Sequence, residues 1–266
     1  MKKLIFTLLL ISLMLSVAVL SGCVRIDLRE QAGPISTRQY SFTDFTGIDV
    51  GYAFEVTITR SDNYSISITA GENAFEHINV HKDGSTLVIG VDNWFINWFV
   101  SPELNVTMPV LTDLEMSGAS KGTASGFRSS QDCNLHLSGA SELDVDMETG
   151  DFFAGLSGAS KITGRLISSN TKIELSGASR VSLAGSGGNL NIHGSGASNI
   201  DMLYFTVNNA YIDFSGASRA TLYVNGKLEA DLSGASLLEY TGTTTLGEID
   251  LSGASSIKPV TLHQTD

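Results

Sequence analysis

Few residues of this 266-residue chain are of types and in places that could do chemistry. Eight serines begin identical Ser-Gly-Ala-Ser strings, at Ser117, Ser138, Ser157, Ser176, Ser195, Ser215, Ser233 and Ser252. A small-residue string can hold a nucleophilic Ser or cradle a phosphate. Eight copies of one active site serve no reaction, so the string reads as a structural corner. His77, His81, His136, His193 and His263 show no metal-ligand spacing, and no metal or other cofactor is expected. A glycosidase needs two carboxylates facing each other across a groove. A repeat supplies many carboxylates and singles out no pair, so the expectation is a protein that is not an enzyme. Of the two cysteines, Cys133 stands alone in Cys133-Asn134-Leu135-His136-Leu137 and reads as a small core or strand-end residue rather than a nucleophile.

Cys23 is the residue with a chemical assignment. Met1-Lys2-Lys3 is a short positive start, Leu4 to Leu20 is largely apolar, and Leu20-Ser21-Gly22-Cys23 closes the run. This is the pattern of a secretory signal peptide. Its last four residues resemble the lipobox of bacterial-type lipoproteins, in which the Cys becomes the lipidated first residue. That resemblance implies a domain tethered to a membrane outside the cytoplasm by acyl chains on Cys23. Val24 follows it; the Asp that marks inner-membrane retention in Gram-negative lipoproteins is absent, which is compatible with an outer-membrane location. Residues 1–22 would be removed and 23–40, with Gly33-Pro34, would be a tether. Without Lys2 and Lys3, 14 basic groups face 28 acidic ones, a net charge of −14. That excludes general nucleic-acid binding, which needs a basic surface.

The elements that position everything else follow from the repeat. The motif recurs at steps of 21, 19, 19, 19, 20, 18 and 19 residues. Apolar residues alternate with polar ones on both sides of it, a period of two and therefore strands. About 19 residues is too short for a helix pair or a propeller blade. It fits one coil of a parallel β-helix, with neighbouring coils about 4.8 Å apart and equivalent residues stacked. The fold class is therefore all-β, a β-solenoid of about 19-residue coils over 111–266. The expected corner uses Gly for its backbone and Ser hydroxyls for bonds along the stack. Residues 41–110 lack the motif and read as an N-terminal β segment, with strands at Phe54–Ile58, Tyr64–Ile68 and Thr86–Ile89, an Asp83-Gly84 turn and one helical turn near Asn73 to Ile78.

Stacking also gives ladders. Two residues before each motif stand Glu115, His136, Gly155, Glu174, His193, Asp213, Asp231 and Asp250, all expected to face outward. Asp213, Asp231 and Asp250 would be neighbours in one stack. They read as solvated carboxylates, or as a bridge for a cation such as calcium. Lys161 and Arg180, one residue after their motifs, would also be neighbours. They read as a solvated face, or as a basic stripe for an anionic polysaccharide. Asn93 to Val100 holds both tryptophans. Trp94, Phe95, Trp98 and Phe99 could cap the open end of the solenoid or contact a glycan or protein partner.

The order Phe45 to Val50, Phe54 to Ile58, Asp83 to Ile89, Leu104 to Pro109 and then repeated Leu-Ser-Gly-Ala-Ser resembles the head GIN domain of putative auto-transporter adhesins, a domain of unknown function. The resemblance spans about residues 42 to 256. It implies a secreted or surface-displayed β-helical domain and carries no catalytic residues. The expected function is a non-catalytic cell-envelope lipoprotein presenting a solenoid surface to a glycan or envelope protein. A structural envelope scaffold is the alternative, and a polysaccharide-active enzyme a more distant one.

Overall fold

A computed structural model describes residues 33–92 and 101–261. It is a β-solenoid in which each coil gives one strand to each of two sheets. The 12-stranded first sheet and the 11-stranded second sheet enclose a single apolar core. The repeats begin with β8 (Asp113–Met116) of the second sheet and β9 (Lys121–Arg128) of the first. From there even-numbered strands extend the second sheet and odd-numbered strands the first, all parallel, up to β22 (Thr245–Leu251) and β23 (Ser256–Pro259).

Strict alternation fixes which side chains enter the core. In β10 (Cys133–Leu137), Cys133, Leu135 and Leu137 are buried, while Asn134 and His136 point outward. Equivalent residues stack in register, so Leu135, Ala154, Ile173, Ile192, Ile212 and Ala230 form one continuous column. Each Leu or Ile so buried contributes roughly 1.5–3 kcal/mol of transfer free energy. Cys133 is part of this wall, and burial pushes its thiol pKa up to about 12, with Asp113 adding a smaller push.

Each Ser-Gly-Ala-Ser string is a corner between a second-sheet strand and a first-sheet strand. The backbone ladder runs straight through it: Ala140 N donates to Gly118 O, Ala159 N to Gly139 O and Ala178 N to Gly158 O, each at 2.7 Å. Glycine is required twice over. Gly158 has φ of +72°, and a Cβ there would lie 2.5 Å from the Gly139 carbonyl oxygen. No side chain tolerates both. Some motif hydroxyls bond along the stack as expected, such as Ser120 Oγ to Tyr52 O at 3.2 Å and Ser233 Oγ to Phe214 O at 3.2 Å. The last Ser of the motif is buried and turns back within its own corner, as Ser141 Oγ does to Ser138 O at 2.8 Å. A buried hydroxyl needs a partner, and the carbonyl three residues back supplies one within the corner.

Both sheets continue into the described residues of 41–110. β2 (Gly47–Val50) pairs parallel with β8, and β3 (Glu55–Arg60) pairs parallel with β9. Gly51-Tyr52-Ala53-Phe54 occupies the corner, with Ala119 N bonded to Tyr52 O at 2.5 Å and Tyr52 at φ of +71° where later coils have glycine. Antiparallel strands then finish the N-terminal end. β4 (Ser65–Gly71) lies between β1 (Ile35–Tyr40) and β7 (Glu103–Met108), and β5 (Ile78–Asp83) forms a hairpin with β6 (Thr86–Val91). A 3-10 turn over Glu72–Glu76 buries Phe75 there, beneath the Arg38 guanidinium at 4.2 Å. Part of the segment expected as a tether, 35–40, is thus the edge strand β1. The C-terminal coil has no such cover among the described residues: Leu246 and Leu251 are 46% and 47% exposed.

Candidate ligand-binding face

The outer face of the second sheet gathers titratable, amide and aromatic side chains in three parallel columns. The column two residues before each motif stands as the sequence indicates. Register pairs run from Asp49 to Glu115, His136, Gly155, Glu174, His193, Asp213, Asp231 and Asp250. An open groove of about 660 Å³ follows this column from Glu115 past His136, Glu174 and His193 to Asp213. Asp213, Asp231 and Asp250 are consecutive neighbours on it, and His193 Nδ1 lies 3.2 Å from Asp213 Oδ2. Among the described residues no group of three or more His, Cys, Asp or Glu is placed to hold a metal ion. Asp49, at the N-terminal end of the column, has its carboxyl pKa raised by burial and then by the charge of Glu115, with His81 opposing.

A second column lies two residues nearer the start of each strand. It reads Asn134, Phe153, Lys172, Asn191, Tyr211 and Glu229. In β12 (Phe152–Leu156) the half-buried Phe153 ring reaches over Gly155: a Cβ on Gly155 would come within 3.3 Å of Phe153 Cε1 and 3.1 Å of His136 Nδ1. The missing side chain therefore lets Phe153 lie against the sheet with the His136 ring beside it, centroids 5.2 Å apart. Three coils on, in β18 (Asn209–Phe214), Tyr211 is 40% exposed and meets the His193 ring edge-on at 6.0 Å. Burial and the carboxylates of Asp213, Asp231, Glu229 and Glu248 raise its phenol pKa, so the hydroxyl stays protonated. Between the two rings, Lys172 pairs with Glu174 at 2.8 Å, and Asn191 Oδ1 is buried without a hydrogen-bond partner.

The third column is an amide ladder at the strand starts. Asn170 Nδ2 donates to Asp151 Oδ1 at 2.9 Å, Asn189 Nδ2 to Asn170 Oδ1 at 3.0 Å and Asn209 Nδ2 to Asn189 Oδ1 at 3.0 Å. A groove of about 520 Å³ runs between this ladder and the aromatic column.

These last two columns were not among the residues singled out by sequence. Their signal is positional: the aromatic column sits four residues before each motif and the amide ladder six before. On the first sheet, Lys161 and Arg180 are register neighbours, as the repeat spacing indicates, with Glu142 on the other side of Lys161. Trp94, Phe95, Trp98, Phe99 and Cys23 lie outside the described residues.

A solenoid stacked through a recurring small-residue corner, with open grooves along one sheet face, defines a repeat-built β-helical protein. Residues 44–244 match the family described as "Putative auto-transporter adhesin, head GIN domain", and the chain belongs to that family. Solved structures share the fold. A putative adhesin from Parabacteroides merdae superposes with a TM-score of 0.81 at 17% identity, covering 86% of this chain and 97% of that one. A protein from Parabacteroides distasonis described as a putative lipid binding protein gives 0.80 at 16% identity, covering 86% and 98%. A putative adhesin from Bacteroides fragilis gives 0.66 at 19% identity, covering 85% and 97%. No curated protein matches the chain.

Proposed function

We propose that this chain is a non-catalytic, lipid-anchored adhesin of the cell envelope that presents the outer face of its second sheet to a glycan or protein partner. The observation that carries this reading is the placement of Phe153 and Tyr211, with their histidine neighbours, along one unbroken face. Aromatic side chains left half-exposed beside polar groups bring contact area at low entropic cost. In this reading Cys23 carries the acyl chains that hold the domain at a membrane. Trp94, Phe95, Trp98 and Phe99 are, in this reading, a second contact region. Asp213, Asp231 and Asp250 on one sheet and Lys161 and Arg180 on the other set the sign of the field at each flank.

The test is binding of the full chain, purified in detergent, to an array of glycans and envelope components, beside Phe153→Ala and Trp94→Ala/Trp98→Ala variants whose fold is checked by circular dichroism. Binding lost with Phe153 supports the sheet face, and binding lost only with the tryptophans moves the site to 93–100. Array silence removes the adhesin reading. Lipidation is tested separately: Cys23→Ser is expected to end incorporation of a labelled fatty acid and release the protein from membranes. An envelope scaffold is the second reading, favoured by Leu246 and Leu251, which are exposed on the C-terminal coil among the described residues. Crosslinking in native membranes that traps a neighbour through that end would support it.

A further inference from the structure

We infer that the second sheet binds an extended, uncharged, β-linked polysaccharide laid along the solenoid axis, with Phe153 and Tyr211 stacking on sugars about three units apart. The inference rests on the adhesin reading and gives it a ligand class and a pose. Direction comes from the columns, which run along the stack and leave an open trough rather than a closed pocket. Phe153 and Tyr211 are three coils apart, about 14 Å at the spacing of paired strands. An extended β-linked pyranose chain advances by roughly one such spacing per sugar, so its units keep step with the coils. When ring substituents are equatorial, both faces carry axial C–H groups, and either face can meet an aromatic ring. An α-linked chain curls away from a flat surface and reaches one ring only.

The polar groups between the rings fit hydroxyl or acetamido substituents. Asn191 stands in register between Lys172 and Tyr211 with its Oδ1 covered and without a partner, so it meets a ligand donor only if the amide turns outward. Each amide of Asn170, Asn189 and Asn209 spends one N–H on the ladder and keeps a second for a ligand oxygen. Glu115, Glu174, Asp213 and Glu229 crowd the same face, which repels a polyanion. A protein partner is a poorer fit, because the rings are isolated by the charged Lys172–Glu174 pair and form no contiguous apolar centre.

The test is calorimetric titration of the full chain in detergent with cello- and chito-oligosaccharides from one to six units. Malto-oligosaccharides and polygalacturonate serve as α-linked and anionic controls. Affinity is expected to rise steeply up to about four units, the length that spans three coils, and then level off. Phe153→Ala and Tyr211→Ala are each expected to weaken the tetramer about tenfold, and Phe153→Leu nearly as much, since bulk without a ring does not stack. Tyr204→Ala, on the first sheet, should leave the curve in place. Equal binding of the α-linked or anionic controls, no dependence on length, indifference to both ring substitutions, or no binding of any neutral β-linked oligomer would overturn the inference. If those titrations fail while the array finds another ligand sensitive to Phe153, the glycan class falls and the adhesin face stands. If the array is silent too, both fall.

Discussion

The two outer faces of the solenoid are built by the same repeat and end up different. On the first sheet the register slips opposite Gly126 of β9, and again between Met202 and Thr206 of β17 (Asn199–Val207). These are the coils of 21 and 20 residues, so the first sheet takes up the surplus length as bulges. Its charged side chains also pair among themselves, as in the bidentate Arg128–Asp146 contact at 2.9 Å and the Lys258–Glu239 contact at 3.1 Å. On the second sheet the register is unbroken from β8 to β20 (Lys227–Leu232), and Asn191 Oδ1 keeps an unused acceptor between two rings. Both faces pair their charges, the second through Lys172–Glu174 and His193–Asp213; what differs is that the first is bulged while the second keeps its register and carries the Phe153 and Tyr211 rings. The second sheet slips only at its C-terminal end, between Leu228 and Ala230, so its surface stays continuous from β8 to β20.

The comparison can be broken in several ways. The second sheet's inner side should be dry. Cys133, with its thiol pKa near 12, should alkylate more than a hundredfold slower in the folded chain than in urea, followed by mass spectrometry at pH 8. Because the fold favours the neutral thiol, this group's contribution is intact below the ordinary thiol pKa of about 8.5 and is lost as pH rises toward 12. Glycines should matter for different reasons on the two sheets. Gly164 of the first sheet has φ of +125°, and a Cβ there would lie 2.0 Å from Val145 O. Gly164→Ala should therefore cost about 3 kcal/mol or more in urea denaturation. Gly155→Ala, whose Cβ would meet only movable rings, should cost under about 1 kcal/mol yet tilt Phe153 and weaken ligand binding. Equal stability losses would remove the distinction. The smallest effect is electrostatic. Asp49 holds its proton more tightly when folded, so its ionisation opposes folding once pH passes about 3.9. Asp49→Asn should stabilise by less than about 1 kcal/mol at pH 7 and by nothing at pH 3, as thermal melts at both values would show.

Much of this was legible because a parallel stack converts sequence offset into position. The Ser-Gly-Ala-Ser spacing gives the corner, the inward and outward residues, and the adjacency of Asp213 with Asp231 and of Lys161 with Arg180. Three things were not legible. The Tyr52 corner resembles no later copy, since what repeats there is a backbone conformation and not a side chain. The sequence does not say which sheet takes the extra residues, because a bulge fits either strand of a coil. Nor does Gly155 announce that its missing side chain seats Phe153, because that contact lies along one strand and breaks the period instead of repeating it.

The most direct test is a matched pair on the glycan and envelope array: Phe153→Ala/Tyr211→Ala on the second sheet against Tyr204→Ala on the first, where Tyr204 is 73% exposed. The account predicts that the first variant, still folded, loses the ligand while the second binds as the unmodified chain does. Binding that survives the double substitution but falls with Tyr204→Ala would contradict it.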